Sequence, residues 1–145
     1  MTGPEGGAIP QPWVLDVSVL AMIAGGDGDM MELAQSLDSG GRPLVIPVLA
    51  IAGALAGGDD EAPPLLRALE RLGNSMPAPV QGAPQAARLA DVIRRTGLDP
   101  WDAHVASVAD ASVCPIVTLD PGKWRGHAHD LDEPLHLIEI EDPEE

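Results

Sequence analysis

Three aspartates stand where carboxylates could act together. Asp16 ends the apolar run Trp13-Val14-Leu15. Asp102 lies in Asp99-Pro100-Trp101-Asp102-Ala103-His104. Asp120 follows Ile116-Val117-Thr118-Leu119 and precedes Pro121-Gly122. In an α/β sheet, groups that follow the carboxyl ends of strands converge on one crevice. Carboxylates gathered there repel each other unless a cation lies between them, and an all-oxygen site suits a hard ion such as Mg²⁺. The chemistry such a site would support is metal-assisted hydrolysis of a phosphodiester.

Each aspartate also has a purely structural explanation. Asp16 is a favoured helix N-cap after a strand. With Asp99 as the N-cap of its own helix, Asp102 falls at the third helical position, where an acid suits the helix dipole. Asp120-Pro121-Gly122 is a turn sequence in its own right. The neighbours divide in the same way. Ser18 either assists the cap or steadies the Asp16 carboxylate. Asp99 is either the cap or an auxiliary acid, and Thr118 shares a strand face with Asp120 because strand side chains alternate.

Other chemistry-bearing residues carry less. His127, His129 and His136, with Asp130 and Asp132, match no common zinc spacing, and no cysteine supports them, so they read as a solvated loop. His104 is either a packing histidine or a polar group near the site. Arg94 and Arg95 read as a solvated helix end near Asp102; if the protein binds RNA, they are the first candidates for phosphate contacts, with Lys123 and Arg125 next. A single cysteine, Cys114, excludes an intramolecular disulfide, and its apolar setting predicts a buried, inert thiol. The chain has no Gly-rich phosphate loop followed by Lys-Ser/Thr, no Gly-x-Ser-x-Gly elbow and no paired cysteine motif.

These residues need a scaffold, and the apolar pattern supplies one. Strands are predicted at Trp13 to Leu15, Leu44 to Ile46, Pro79-Val80, Ile116 to Leu119 and Leu135 to Ile140. Helices are predicted from Ser18 to Ala24, from Met30 to about Asp38 with Asp29 as cap, and from Pro47 to about Ala56. Others open at Pro63-Pro64, at Pro84 with Ala87, Ala90 and Ile93 on one side, and at Asp99-Pro100. Strands alternating with helices imply a mainly parallel sheet covered on both faces.

At 145 residues and 45% hydrophobic, the chain suits one domain with a real core. With no Phe, no Tyr and three Trp, that core must be aliphatic. The net charge of −15 argues against a general nucleic-acid-binding surface and favours a basic partner or cations. The reading is a Gly/Pro-rich leader over residues 1–12, a domain over 13–140 and an acidic tail over 141–145. No signal peptide is read at the start, and the longest apolar stretch, Leu44 to Ala56, is too short to span a bilayer, so a cytoplasmic location is expected.

The ordered motifs resemble the PIN-domain family, which includes the VapC-type ribonuclease toxins of bacterial toxin–antitoxin pairs. They are Asp16 with Ser18, Asp-Ala-His-x-Ala-x-x-Ala from Asp102 to Ala109, and Ile-Val-Thr-x-Asp from Ile116 to Asp120. The resemblance spans roughly Trp13 to Ile138. It implies a three-layer α/β/α domain with a small, mostly parallel sheet of four or five strands. It implies Mg²⁺ or Mn²⁺ on Asp16, Asp102 and Asp120, with Ser18 and Thr118 orienting them, and cleavage of single-stranded RNA. It also implies a homodimer neutralised by a small antitoxin; the charge independently favours a basic one. The helices Ser18 to Ala24 and Pro47 to Ala56 are candidates for self-association, or else core. The chain departs from the family at one point. The family's Glu on the helix after its second strand is replaced by Gly53, so the alternative expectation is a catalytically impaired PIN-like binding or regulatory protein. Gly53→Glu tests that alignment, since recovered metal binding would confirm it.

Overall fold

A computed structural model describes residues 10–140. The first nine residues of the expected leader and all of the acidic tail lie outside the described residues. Five strands form one sheet: β1 (Trp13–Leu15), β2 (Leu44–Pro47), β3 (Ser75–Ala78), β4 (Ile116–Thr118) and β5 (Leu137–Glu139). Between them run α1 (Val17–Ala24), α2 (Gly28–Ser39), α3 (Val48–Ala56), α4 (Ala62–Glu70), α5 (Gly82–Thr96), α6 (Pro100–Ser112) and α7 (Pro121–Arg125).

The strand order is β3-β2-β1-β4-β5, and every neighbouring pair is parallel. β1 is central. Val14 stands opposite Val45 on one side and Ile116 on the other. The chain therefore builds outward from β1 in one direction, returns, and builds β4 and β5 in the other. That reversal opens a crevice between the carboxyl ends of β1 and β4. All four residues of β2 and all three of β4 are buried. Consecutive buried strand residues require cover on both faces of the sheet, because side chains alternate. The three-layer α/β/α domain expected from the sequence is the one observed.

The core is aliphatic, as the composition requires. Val14, Leu20, Leu44, Leu65, Ile116 and Val117 are all at or near full burial. Trp124 is the aromatic exception at 0% exposure. The apolar helices α1 and α3 spend their faces inside the chain, with Val19, Leu20 and Ile23 of α1 and Ala50, Gly53 and Ala54 of α3 buried. Small residues on α3 let α6 come close. An ideal Cβ built on Gly53 would stand 2.5 Å from Cγ of Trp101. Among the described residues, no helix is long and apolar enough to cross a membrane.

Several local expectations are corrected. The cap of α2 is Asp27, whose Oδ1 accepts from Met30 N–H at 2.8 Å, and Asp29 instead occupies the first turn. The third strand is Ser75–Ala78 rather than Pro79-Val80, paired along its length with Leu44–Pro47. It is an edge strand, which accommodates Pro77. The inner side of α5 carries Val92, with Leu89 and Ile93 packed against the core, whereas Ala87 is exposed. Pro121 opens the short helix α7 where Asp120-Pro121-Gly122 reads in sequence as a turn. Cys114 is buried, as expected.

Candidate functional site: the strand-end acidic pocket

Asp16 leaves β1 in extended conformation and caps α1. Its carboxylate is fully buried. Oδ1 accepts from Ser18 Oγ at 2.6 Å and from the Val19 backbone N–H at 3.1 Å. Oδ2 accepts from Nε1–H of Trp124 at 3.0 Å. Three donors for one buried anion account for its tolerance of burial. The cap and the site explanations are therefore both satisfied by the same side chain.

Ser18 does more than hold Asp16. Its Oγ also accepts from the Leu119 N–H at 3.0 Å and stands 3.5 Å from Thr118 Oγ1. Thr118 is fully buried, and its Oγ1 accepts from the Asp120 N–H at 2.8 Å. The two hydroxyls stitch the end of β1 to the end of β4. Asp120 follows two residues after Thr118 and is exposed.

Asp102 reaches the pocket from the first turn of α6. Asp99 caps that helix, accepting from the Asp102 N–H at 3.0 Å, and is exposed. The Asp102 carboxylate is buried and paired with Lys123, whose Nζ lies 3.2 Å from Oδ1 and 3.1 Å from Oδ2. Burial pushes the Asp102 carboxyl above its usual range. The Lys123 charge pulls it back in part, and the Asp99 and Asp16 charges add to the rise.

His104 serves α3 rather than the pocket. Pro47 caps that helix and has no side chain able to accept a hydrogen bond. The buried Nδ1 of His104 instead accepts from the Leu49 N–H at 3.2 Å, satisfying one of the donors orphaned at a helix start. An accepting Nδ1 puts the proton on Nε2, and burial holds the imidazole below its ordinary pKa.

The basic residues singled out for phosphate contacts are each paired with an acid. Arg94 and Arg95 lie 3.6 Å from Asp91, and Arg95 also reaches Asp132 at 3.2 Å. Arg125 holds Glu139 at 2.6 Å. The histidine-rich segment is a loop in which His127 meets Asp130 at 2.8 Å.

The pocket thus brings together Asp16, Ser18, Thr118 and Asp102, with Asp120 at its rim. Lys123, expected from the sequence as a phosphate contact, and Trp124, which the sequence does not single out, complete it. Their signal was positional: they fall three and four residues after Asp120, one turn into a helix opened by proline. As they stand, these residues do not fit a divalent ion. Asp16 is sealed and already takes three donors, while Asp102 is bound by an ammonium. Among the described residues no group of three or more His, Cys, Asp or Glu side chains is arranged to hold a metal. A Glu at position 53 would have no room beside Trp101.

No family model and no curated relative matches the sequence. Solved structures do match it. A chain of VapBC2 from Rickettsia felis, bound to a DNA fragment from the pair's promoter, is 14% identical with a TM-score of 0.60; the match covers 88% of this chain and 98% of that one. A toxin–antitoxin complex from Klebsiella pneumoniae gives 16% identity, a TM-score of 0.57 and the same coverage, 88% and 98%. DNA-bound VapBC from Salmonella typhimurium gives 14%, 0.59, and 89% and 98%. At these identities the likeness is one of fold alone: the chain shares its fold with chains of these complexes over 88–89% of its length.

Proposed function

We propose that this chain is a PIN-like protein of the toxin type, one half of a two-protein pair whose other half is a small, basic antitoxin. The observation that carries this reading is the near full-length fold likeness to chains of complexes described as VapBC and as toxin–antitoxin. The net charge of −15 supports the partner's chemistry, since it draws Lys- and Arg-rich segments at long range. Affinity capture of the tagged chain from its native host tests the pair. The expected result is one small basic protein in constant ratio, released by high salt. Recovery of the chain alone would remove the reading. A homodimer belongs to the same proposal, and light scattering that gives a constant mass near 15 kDa would refute it.

The activity that goes with this fold class is cleavage of single-stranded RNA with Mg²⁺ or Mn²⁺ at Asp16, Asp102 and Asp120. It would require the Lys123–Asp102 pair to open. The second reading, a binding or regulatory module with impaired catalysis, needs no such rearrangement. Labelled RNA with Mn²⁺ separates them. Cleavage by the wild type that Asp16→Asn abolishes supports the nuclease. No cleavage, or equal cleavage by both proteins, supports the binding module.

A further inference from the structure

We propose that Lys123 is the resident cation of the strand-end pocket: its ammonium, set against both oxygens of Asp102, takes the place a divalent ion would need, so the wild-type chain balances its buried acids without metal. The inference concerns the pocket alone and stands whether or not a partner exists.

Four features of the chain lead here. First, the ammonium is shared between the two carboxylate oxygens at 3.2 and 3.1 Å, and the Asp102 side chain is only 8% exposed. A buried carboxylate without a counter-charge is costly, so the pair sustains the burial. Second, the position is built and not incidental. Pro121 opens α7, and the neighbouring residue, Trp124, is fully buried with its indole N–H on Asp16. That anchor fixes the turn from which Lys123 projects. Its Nζ lies 5.9 Å from the Trp124 ring centroid, at the limit of a cation–π contact. Third, an arriving dication would meet an ammonium already bonded to Asp102, and the two like charges repel. Fourth, Trp101, the chain neighbour of Asp102, packs over Gly53 of α3 so closely that position 53 has no room for a side chain there.

One cation in the pocket implies exchange. With the ammonium gone, Asp102 would be left buried without its counter-charge, and a hard cation is what such a carboxylate takes up. Lys123→Met keeps the apolar stem beside Trp124 and removes the charge. Lys123→Gln is a second variant of similar length, in case the first fails to fold.

Calorimetry with MnCl₂ alone reads the result. For the wild type we expect no binding heat up to about millimolar metal, and for either variant an affinity at least roughly tenfold higher. Adding Asp102→Asn to the variant should abolish the gain. Equal Mn²⁺ affinity in wild type and variants would overturn the proposal. So would folded variants that bind no better than the wild type. Paramagnetic broadening on the wild type gives an answer that needs no variant. Signals of Asp102 and Lys123 left sharp by Mn²⁺ support a resident ammonium, and their selective loss at micromolar metal overturns it.

Discussion

The indole N–H of Trp124 donates to the buried carboxylate of Asp16 at 3.0 Å, joining the last short helix to the first strand across 108 residues of chain. This bond ties Asp16 to the segment that carries Lys123 and adds to the Ser18 and Thr118 hydroxyl contacts that join the ends of β1 and β4. Trp124→Phe keeps an aromatic ring but leaves Oδ2 of a sealed carboxylate without its donor. The expected loss is about 1–3 kcal/mol in urea unfolding. A double-mutant cycle with Asp16→Asn should show coupling above about 0.5 kcal/mol, as contacting residues do. Strict additivity would mean that the bond does not form in solution.

Gly53 and Trp101 make the second test. A Cβ at position 53 would stand 2.5 to 2.8 Å from three atoms of the Trp101 side chain. Gly53→Ala should therefore destabilise by about 1–3 kcal/mol, although Ala is the better helix former. Trp101→Val in the same background should recover part of that loss. Gly53→Glu should be destabilised at least as much and should not add a metal ligand. That outcome differs from the one expected from the sequence, where the glycine reads as a vacancy. If Gly53→Ala proves neutral or stabilising by thermal unfolding, the close approach of α3 and α6 is wrong.

His104 gives the fold a dependence on pH. Its imidazole is held below its ordinary pKa by burial, so the unfolded chain takes up a proton first as pH falls. The contribution is fully present above the unfolded value of about 6.5 and is lost as pH falls from there toward the folded value. Urea midpoints of wild type and His104→Gln, compared between pH 8 and pH 5.5, isolate this part. The wild type should lose more stability across that interval than the variant. Parallel curves would show that His104 is charged or exposed.

Val113 sits in the left-handed region, with φ 54° and ψ 46°, where it ends α6 as a residue 48% exposed. A β-branched residue there costs about 1–2 kcal/mol, while glycine costs about 0.5–1 kcal/mol of extra chain entropy. Steric relief wins, and Val113→Gly should stabilise the protein by roughly 0.5–1 kcal/mol in thermal or urea unfolding. A loss of stability would place the helix end elsewhere.

By itself the sequence determined the βα alternation, because runs such as Leu44 to Ile46 and Ile116 to Leu119 are largely apolar and flanked by prolines at or near their ends. It also marked Asp16, Asp99 and Asp102 near helix starts, since capping is a local matter of a few residues. It misplaced the third strand, because Ser75–Ala78 is a solvent-leaning edge with two prolines nearby, and only its pairing with Leu44–Pro47 makes it a strand. What tertiary structure alone decided is the company each acid keeps. Lys123 lies 21 residues from Asp102 in sequence and Trp124 lies 108 from Asp16, separations across which no local pattern can be read. The same holds for Gly53, whose lack of a side chain reads in sequence as a lost ligand and in the folded chain as room for Trp101. Whether three carboxylates become a metal site or an ion-paired pocket depends on which long side chains fold back onto them, and that is a property of packing, not of spacing.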